Sequence, residues 1–364
     1  MKRRHNKVNR AVLSALALLS LAAAWLLTLS VHTFRARYFD EKRAAVELTR
    51  TALRELATLR EQRGVPVDTV NDPNRTGLIG QQFTPLVYGR TDLSDALTTT
   101  NPNFAAALVE MLHEAGLKKG DAVGFSWDGT FPAVNAGLLS AARVMELEPR
   151  IVTAMSAGSW GANVPGLDWL ELERALYERG VFKARTSMAT LGGADDAGQA
   201  LSPDARMMLA AVAESCRVPL VVPATLRVAE SSRLREFAGV KALVSVGWVT
   251  ADLGGPLVRA PSKVLFRPWS RADSSGVLAA LLSRHVPVIR IGNPTAVAHD
   301  YGLPVAPEPL PEPGRGRLFF VKKYSVGLAA AMAAVLLALL WLVVRYDVEW
   351  YLGDRRPREE DKAV

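Results

Sequence analysis

The chain has 364 residues, one cysteine and a formal net charge of +8. A chain of this length can bury a stable core, and a single cysteine excludes an internal disulfide framework. The first ten residues contribute five positive charges and the last twenty have a net charge of −1, so +4 remains for the region between them. A mildly basic region without a concentrated basic stripe argues against a nucleic-acid partner.

Residues 11–31 form the first of two long uncharged segments. A helix of this length spans roughly 30 Å, the thickness of the hydrocarbon core of a bilayer, so we predict a transmembrane helix. The basic segment 1–10 before it predicts a cytoplasmic N-terminus. The alternative is a secretory signal cleaved near Ala22–Ala24. Against this, the apolar run continues through Trp25 and Leu27 and is longer than a usual signal core.

The second uncharged segment, residues 324–344, is also predicted to be a transmembrane helix. Lys322 and Lys323 before it and Arg345 after it are typical of the membrane interface. Two crossings return the tail, residues 345–364, to the cytoplasm. The sequence therefore predicts a protein of the cytoplasmic membrane with both termini cytoplasmic and its main domain extracytoplasmic.

Residues 32–63 are highly charged and lack glycine and proline. Their apolar residues recur at three- and four-residue spacing, which predicts a juxtamembrane helix with one apolar face. Those residues are Ala45, Leu48, Ala52, Leu56 and Leu59. Near the other end of the chain, residues 304–323 carry five prolines. This composition predicts an extended, semi-rigid linker between the main domain and the second anchor.

Residues 64–303 are predicted to form the extracytoplasmic domain, in which short apolar strands alternate with helices. The predicted strands cover residues 122–125, 150–154, 184–190, 218–223, 242–248 and 286–293, with a shorter one over 263–266. Continuous apolar strands between helices predict an α/β fold with a mostly parallel sheet and helices on both faces.

Three of these strands are followed by turns of small or polar residues, at 126–130, 156–163 and 192–196. Parallel strands end at one edge of the sheet, so these turns converge if the strands are neighbours. The first turn also leads into a helix at Phe131–Pro132, whose unpaired backbone N–H groups favour an anion. The alternative interpretation is that tight turns simply require such residues. The candidate ligand-binding residues are Ser126, Asp128, Thr130, Ser159, Asn163, Asp195 and Asp196.

No catalytic residue follows from the sequence. The glycine after Ser126 stands one residue too far away for a G-x-S-x-G motif. The chain order Ser126, Asp195, His299 would suit a hydrolase triad, but His299 falls in a short predicted helix, where a surface histidine is the commoner case. The Asp195–Asp196 pair lacks companions at metal-ligand spacing, and Cys216 is predicted to be a buried structural residue. No metal and no cofactor is predicted, and whether the protein is an enzyme stays open.

Five stretches of the chain form long motifs, at residues 72–86 (DPNRTGLIGQQFTPL), 98–121, 129–135, 156–182 and 187–198 (SMATLGGADDAG). Together with the two anchors they resemble the poly-γ-glutamate system protein family. These are accessory membrane proteins encoded with bacterial genes for poly-γ-glutamate synthesis and export. Here Trp127–Asp128 precede Gly129, which makes the first turn longer than in the family pattern. The resemblance implies a role with the machinery of polymer synthesis, export or release, and it implies no catalytic residue.

The sequence therefore predicts a membrane-anchored accessory protein of a bacterium, whose outer domain binds poly-γ-glutamate or partner subunits. The expected partners are the synthase and export membrane subunits, the polymer and the lipid bilayer, without nucleic acid. One alternative is an extracytoplasmic hydrolase or transferase acting on γ-glutamyl amide bonds. The other is a sensor of small solutes.

Overall fold

The computed structural model describes residues 10–255, 260–268 and 275–345. They belong to two compact units. One runs from residue 36 to residue 319, and the other combines the chain before residue 36 with the chain from residue 320 onward.

The strands, in chain order, are β1 (His32–Arg35), β2 (Val87–Gly89), β3 (Ala122–Asp128), β4 (Glu148–Ala154), β5 (Ala157–Gly158), β6 (Thr186–Thr190), β7 (Ala242–Val246), β8 (Val264–Leu265), β9 (Val288–Ile291) and β10 (Phe320–Lys323). The helices are α1 (Arg10–Leu29), α2 (Phe39–Gln62), α3 (Leu93–Thr99), α4 (Phe104–Glu114), α5 (Pro132–Val144), α6 (Trp169–Glu178), α7 (Pro203–Ser215), α8 (Leu226–Glu236), α9 (Thr250–Leu253), α10 (Gly276–Ser283), α11 (Pro294–Tyr301) and α12 (Val326–Arg345).

Six strands form the central sheet of the larger unit, in the order β6-β4-β3-β7-β9-β8. Neighbouring strands run parallel, except that β8 is antiparallel to β9. This confirms the predicted α/β fold with a mostly parallel sheet. The chain adds β4 and β6 on one side of β3 and then crosses to add β7 and β9 on the other. The topological switch point therefore lies between β3 and β7, where open α/β sheets usually bind their ligands.

Helices cover both faces of this sheet. Phe125 and Trp127 of β3 pack in the cluster that includes α4 and α5, and their rings stack with centroids 5.2 Å apart. Gly124 directly precedes Phe125 and faces the other side, where a Cβ would lie 2.8 Å from Phe237 Cδ1. Phe237 belongs to the cluster built around α10 on that face. Because successive side chains of a strand point to opposite faces, β3 contributes to the apolar core on each side of the sheet.

Helix α2 belongs to the larger unit. Ala45, Ala52 and Leu56 on its predicted apolar face are buried against α4 and α5. The helix begins at Phe39, whereas the sequence predicted one continuous helix over 32–63. Residues 32–35 instead form β1, which pairs antiparallel with β10 in the smaller unit. Pairing between two distant segments is invisible to a local apolar pattern, and for this reason the sequence extended the helix too far.

The predicted strand at 218–223 is replaced by an isolated bridge between Ala189 and Leu220. Pro219 and Pro223 have no backbone N–H to donate, so this segment cannot form a full ladder. Strand β3, in contrast, runs to Asp128, three residues beyond the prediction. Its last three residues are polar or aromatic, yet each of them is buried.

The proline-rich segment lies along the larger unit up to residue 319, and we call residues 304–319 the strap. Asn74 Nδ2 donates to the carbonyl of Pro307 at 2.7 Å, and Asn103 Nδ2 donates to the carbonyl of Glu312 at 3.0 Å. The backbone N–H of Ala306 donates to Thr98 Oγ1 at 2.9 Å. The strap, for which the sequence predicted an extended, semi-rigid linker, is therefore bound to the domain.

In the smaller unit, α12 contains an apolar window, Val326–Val343, that is long enough to cross a membrane. The apolar run described in α1, Leu13–Leu29, is shorter. Most described side chains of both helices are exposed, including Trp25 and Trp341. Both helices are therefore compatible with membrane anchoring.

Candidate functional site

The candidate site lies at the switch point, where β3 ends in Asp128. This carboxylate is buried and has three donors. The Tyr88 hydroxyl and the backbone N–H of Trp248 donate to Oδ2 at 2.7 and 2.8 Å, and the backbone N–H of Thr130 donates to Oδ1 at 2.8 Å. Asp128 therefore fixes two aromatic residues, one from β2 and one from the turn after β7.

Burial sets the ionisation of this group. It raises the pKa of Asp128, while the bonds from Trp248, Tyr88 and Thr130 act in the opposite direction. Burial beside Asp128 also raises the pKa of Tyr88 well above its ordinary value. The Tyr88 hydroxyl therefore keeps its proton and remains a donor to the carboxylate.

A cleft of about 270 Å³ opens above this carboxylate, and we call it the switch-point cleft. Its described lining residues are Tyr88, Gly89, Arg90, Thr91, Gly158, Ala194, Ala200, Trp248, Thr250, Leu253 and Gly255. Arg90 is the one charged residue in this described lining, and it is exposed. Two aromatic rings, several glycines and one guanidinium thus form the walls.

A second buried network supports the opposite wall, with Arg233 of α8 at its centre. Arg233 Nε and Nη2 each donate to a carboxylate oxygen of Asp196 at 3.0 Å, and Nη1 donates to Ser126 Oγ at 2.9 Å. Ser126 and Ser245, which are opposite each other in β3 and β7, donate to the two oxygens of Asp252 at 2.8 and 2.7 Å. The network joins the sheet, the turn after β6 and α9.

Charges in this network are compensated rather than free. Burial raises the pKa values of Asp196 and Asp252, and the Arg233 guanidinium opposes both shifts. Arg290 lies on the same side and donates to the carbonyls of Ser245 and Gly247. Buried charges of opposite sign that are paired and hydrogen-bonded favour one arrangement of the surrounding side chains.

This arrangement leaves Ser126 poorly suited to be a nucleophile. Its hydroxyl is fully buried, its proton is directed to Asp252, and it accepts a bond from Arg233, which cannot act as a base. Asp195 accepts bonds from the backbone N–H groups of Ala197 and Gln199 in its own turn. His299 is exposed beside Asp300. The three residues of the considered triad therefore lie in separate environments.

The other predicted residues hold the wall formed by β2 and β5. Thr130 Oγ1 accepts a bond from the backbone N–H of Gly158 at 2.9 Å. The amide of Asn163 donates to the carbonyl of Gln81 at 2.7 Å and accepts from its N–H at 3.0 Å. The carbonyl of Ser159 accepts a bond from the Thr91 hydroxyl. These contacts fix the segment that carries Tyr88 and Arg90.

None of the seven predicted residues is in the described lining of the cleft. They lie around it, and each one holds a turn, strand or side chain that borders it. The expected anion position at the start of α5 is covered, because Phe131 and Pro132 are buried. Gly161 also approaches so closely that a Cβ there would lie 2.5 Å from the carbonyl oxygen of Gly129.

The sequence did not predict several residues of the candidate site, namely Tyr88, Arg90, Arg233, Trp248 and Asp252. Gly247–Trp248 directly follows a buried strand, and the same turn signal that selected the other three turns could have found it. Arg233 had no such signal, since it shares its helix with the exposed Arg227 and Arg235. Within the described ranges, no group of three or more His, Cys, Asp or Glu residues could hold a metal ion.

No protein-family model matches this chain, and no curated protein has a matching sequence. The assignment of a function therefore depends on the geometry of the cleft and on the motifs of the sequence.

Proposed function

We propose that this chain is a membrane-anchored accessory protein of poly-γ-glutamate synthesis and export, and that its α/β domain binds the polymer in the switch-point cleft. The observation that carries the proposal is the position of Arg90 beside Tyr88 and Trp248, directly above the switch point. The identity of the polymer is inferred from the resemblance of the sequence motifs to the poly-γ-glutamate system protein family.

The walls of the cleft suit a γ-linked glutamyl chain. Each unit of such a chain carries one carboxylate, one amide group and two methylene groups. The Arg90 guanidinium can pair with a carboxylate through two parallel hydrogen bonds. The rings of Tyr88 and Trp248 offer apolar surface to methylene groups, and the backbone at Gly89 is open to close approach, because an added Cβ would meet nothing within 4 Å.

A binding role is favoured over catalysis by the state of the polar groups below the cleft. Ser126, Asp196 and Asp252 are all buried. Arg233 donates hydrogen bonds to Asp196 and Ser126, and Ser126 donates to Asp252. A general base or nucleophile must reach the substrate within hydrogen-bond distance. These groups hold the walls in place and do not face the open cleft.

The proposed cellular location rests on the two apolar helices, α1 and α12. We propose that α1 and α12 both cross the cytoplasmic membrane, with the basic N-terminal segment and the C-terminal tail on the cytoplasmic side. The α/β domain is then extracytoplasmic, where it meets the polymer as the export subunits release it. The apolar window in α12 and the basic residues before α1 support this arrangement.

The test is a titration of the full-length protein in nanodiscs with a γ-linked glutamate decamer. We expect saturable binding that Arg90→Gln weakens about tenfold or more, because a charge-assisted pair is lost. Arg235→Gln, an exposed arginine of α8 outside the cleft, is the matched control and should bind like the wild type. Equal affinity in Arg90→Gln and wild type would exclude this cleft as the polymer site.

The accessory role is tested separately by copurification. A tagged full-length chain should bring down the synthase and export subunits from solubilised membranes. Failure to copurify in every detergent tried would remove the accessory role even if the cleft binds the polymer.

A further inference from the structure

A second cleft, of about 420 Å³, lies between α2, the loop at 74–78 and the strap. We call it the strap cleft. It has no lining residue in common with the switch-point cleft. Three arginines line it, Arg50, Arg54 and Arg75, together with one acid, Glu312. Much of the remaining lining is aliphatic or proline, namely Leu53, Ala57, Leu78, Pro102, Leu310, Pro311 and Pro313.

The positive charge of the strap cleft is only partly compensated. Glu312 is paired with Arg315 at 2.6 Å, and Glu47 lies 3.6 Å from Arg50. In the described part of the chain, no carboxylate lies within ion-pair distance of Arg54 or Arg75. Guanidinium groups gathered around one concave surface with apolar walls focus a positive potential into it.

The loop that carries Arg75 is held firmly in place. The buried carboxylate of Asp72 accepts bonds from the backbone N–H groups of Thr76 at 3.0 Å and Gly77 at 2.8 Å. The buried Arg60 donates to the carbonyl of Gly77 at 3.2 Å. Arg75 itself is held in the left-handed region at φ 51°. A wall that is already ordered loses little conformational freedom when a ligand binds.

The opposite wall is equally anchored, because Asn74 and Asn103 bind the strap at Pro307 and Glu312. The backbone N–H of Gly314 also donates to Asn103 Oδ1 at 2.8 Å. The strap cleft is therefore a formed concavity between two fixed walls.

We propose that the strap cleft binds an organic anion that carries two or more carboxylates on an aliphatic body. Arginine pairs with carboxylates through parallel hydrogen bonds, and Arg50 and Arg54 are one helical turn apart on one face of α2. The leucine and proline surface would pack against the methylene groups between the carboxylates. The volume falls within the range of about 300–1,000 Å³ that is usual for organic ligands, so a single inorganic anion would leave most of the cleft empty.

Two sources could supply this chemistry, a free small polycarboxylate and a segment of an extended acidic chain. The inference rests on the charge and shape of the strap cleft and does not depend on the function proposed for the switch-point cleft.

The test uses the full-length protein in nanodiscs, with tricarballylate and a γ-linked glutamate hexamer as separate probes. Titrations in the Arg90→Gln background remove the contribution of the switch-point cleft. We expect saturable binding of at least one probe, weakened about tenfold or more in Arg54→Gln/Arg75→Gln and weakened again by added salt. The affinity of Arg54→Lys/Arg75→Lys should lie between that of the parent and that of the glutamine variant. Lysine keeps the positive charge but cannot form the two parallel hydrogen bonds of a guanidinium group.

Lys118→Gln/Arg284→Gln is the control, because it removes two exposed positive charges outside the strap cleft. It should bind like the parent. Binding of tricarballylate identifies a small-molecule site, and binding of the hexamer alone identifies a site for an acidic chain; both support the proposal. The proposal is overturned if neither probe binds saturably, if Arg54→Gln/Arg75→Gln binds like the parent, or if equimolar sulfate displaces the probe.

Discussion

Asp128 at the end of β3 and Gly247 directly after the neighbouring strand β7 lie so close together that a Cβ on Gly247 would lie 2.0 Å from Asp128 Oδ1. Gly247 also has a φ of +81°, a conformation that residues with a side chain rarely adopt. The chain can therefore leave β7, turn over the carboxylate and donate the N–H of Trp248 to it at 2.8 Å. This turn places Trp248 in the wall of the switch-point cleft.

Gly247→Ala should destabilise the protein by about 3 kcal/mol, because it combines a strained backbone with a clash against a buried carboxylate. Gly239→Ala is the matched control. Its φ is +77°, but an added Cβ meets nothing within 4 Å, so only the backbone cost of roughly 1 kcal/mol applies. Urea unfolding of the full-length protein in detergent measures both. Equal losses would contradict the close approach.

Arg233→Met should destabilise the protein by about 3–5 kcal/mol, since it leaves Asp196 buried without the cation that pairs with it. Arg235→Met, two residues along the same helix and exposed, should change the free energy of unfolding by less than about 0.5 kcal/mol. Adding Asp196→Leu to Arg233→Met should recover part of the loss, because the unpaired charge is removed. A double variant less stable than Arg233→Met would argue against the ion pair as the cause.

The titration of Glu173 should lower the free energy of unfolding as the pH rises from about 4.5 to 7. Burial raises the pKa of Glu173 to about 7 from an ordinary 4.5, against the bonds that it accepts from Thr186. In this window the folded chain binds a proton that the unfolded chain has released, and roughly 3 kcal/mol of stability is lost across it.

Glu173→Gln should remove this contribution and flatten the decline of the melting temperature between pH 5 and 8. Glu178→Gln, an exposed glutamate on the same helix, should keep the wild-type slope. If the slope of Glu173→Gln equals that of the wild type, Glu173 titrates near its ordinary value when folded.

The substitution Ser126→Ala distinguishes a structural role of Ser126 from a catalytic role. The substitution removes a donor to Asp252 and an acceptor for Arg233, so we expect a loss of about 1–3 kcal/mol in stability. Polymer length and yield in cells should be unchanged where the protein still accumulates. Tyr88→Phe, in contrast, alters the wall of the cleft and should weaken binding of the glutamate decamer. A longer polymer in Ser126→Ala cells would revive the hydrolase alternative.

The proposed topology is tested with a membrane-impermeant maleimide on intact cells. The single native cysteine, Cys216, is buried and should give little background. Lys118→Cys, which is exposed in the α/β domain, should be labelled, whereas Lys2→Cys and Lys362→Cys should be labelled only after the membrane is permeabilised. Labelling of Lys2→Cys in intact cells would reverse the orientation.

Local patterns in the sequence were enough to predict most of the fold. The apolar face of α2 was predicted at Ala45, Ala52 and Leu56 because its three- and four-residue spacing is a local feature. The parallel sheet followed from short apolar strands between helices. The site was predicted only at the level of the sheet edge, because the turns could be located but their partners could not.

The sequence by itself determined the α/β class, the two apolar segments and the edge at which a ligand site is expected, since each depends on residues close together in the chain. Only the tertiary structure decided that Asp128 is enclosed by Tyr88 and Trp248, that Arg233 joins Asp196 to Ser126, and that the strap lies against the domain. These contacts join residues far apart in sequence. Strand order and burial bring such residues together, and no local periodicity encodes either one.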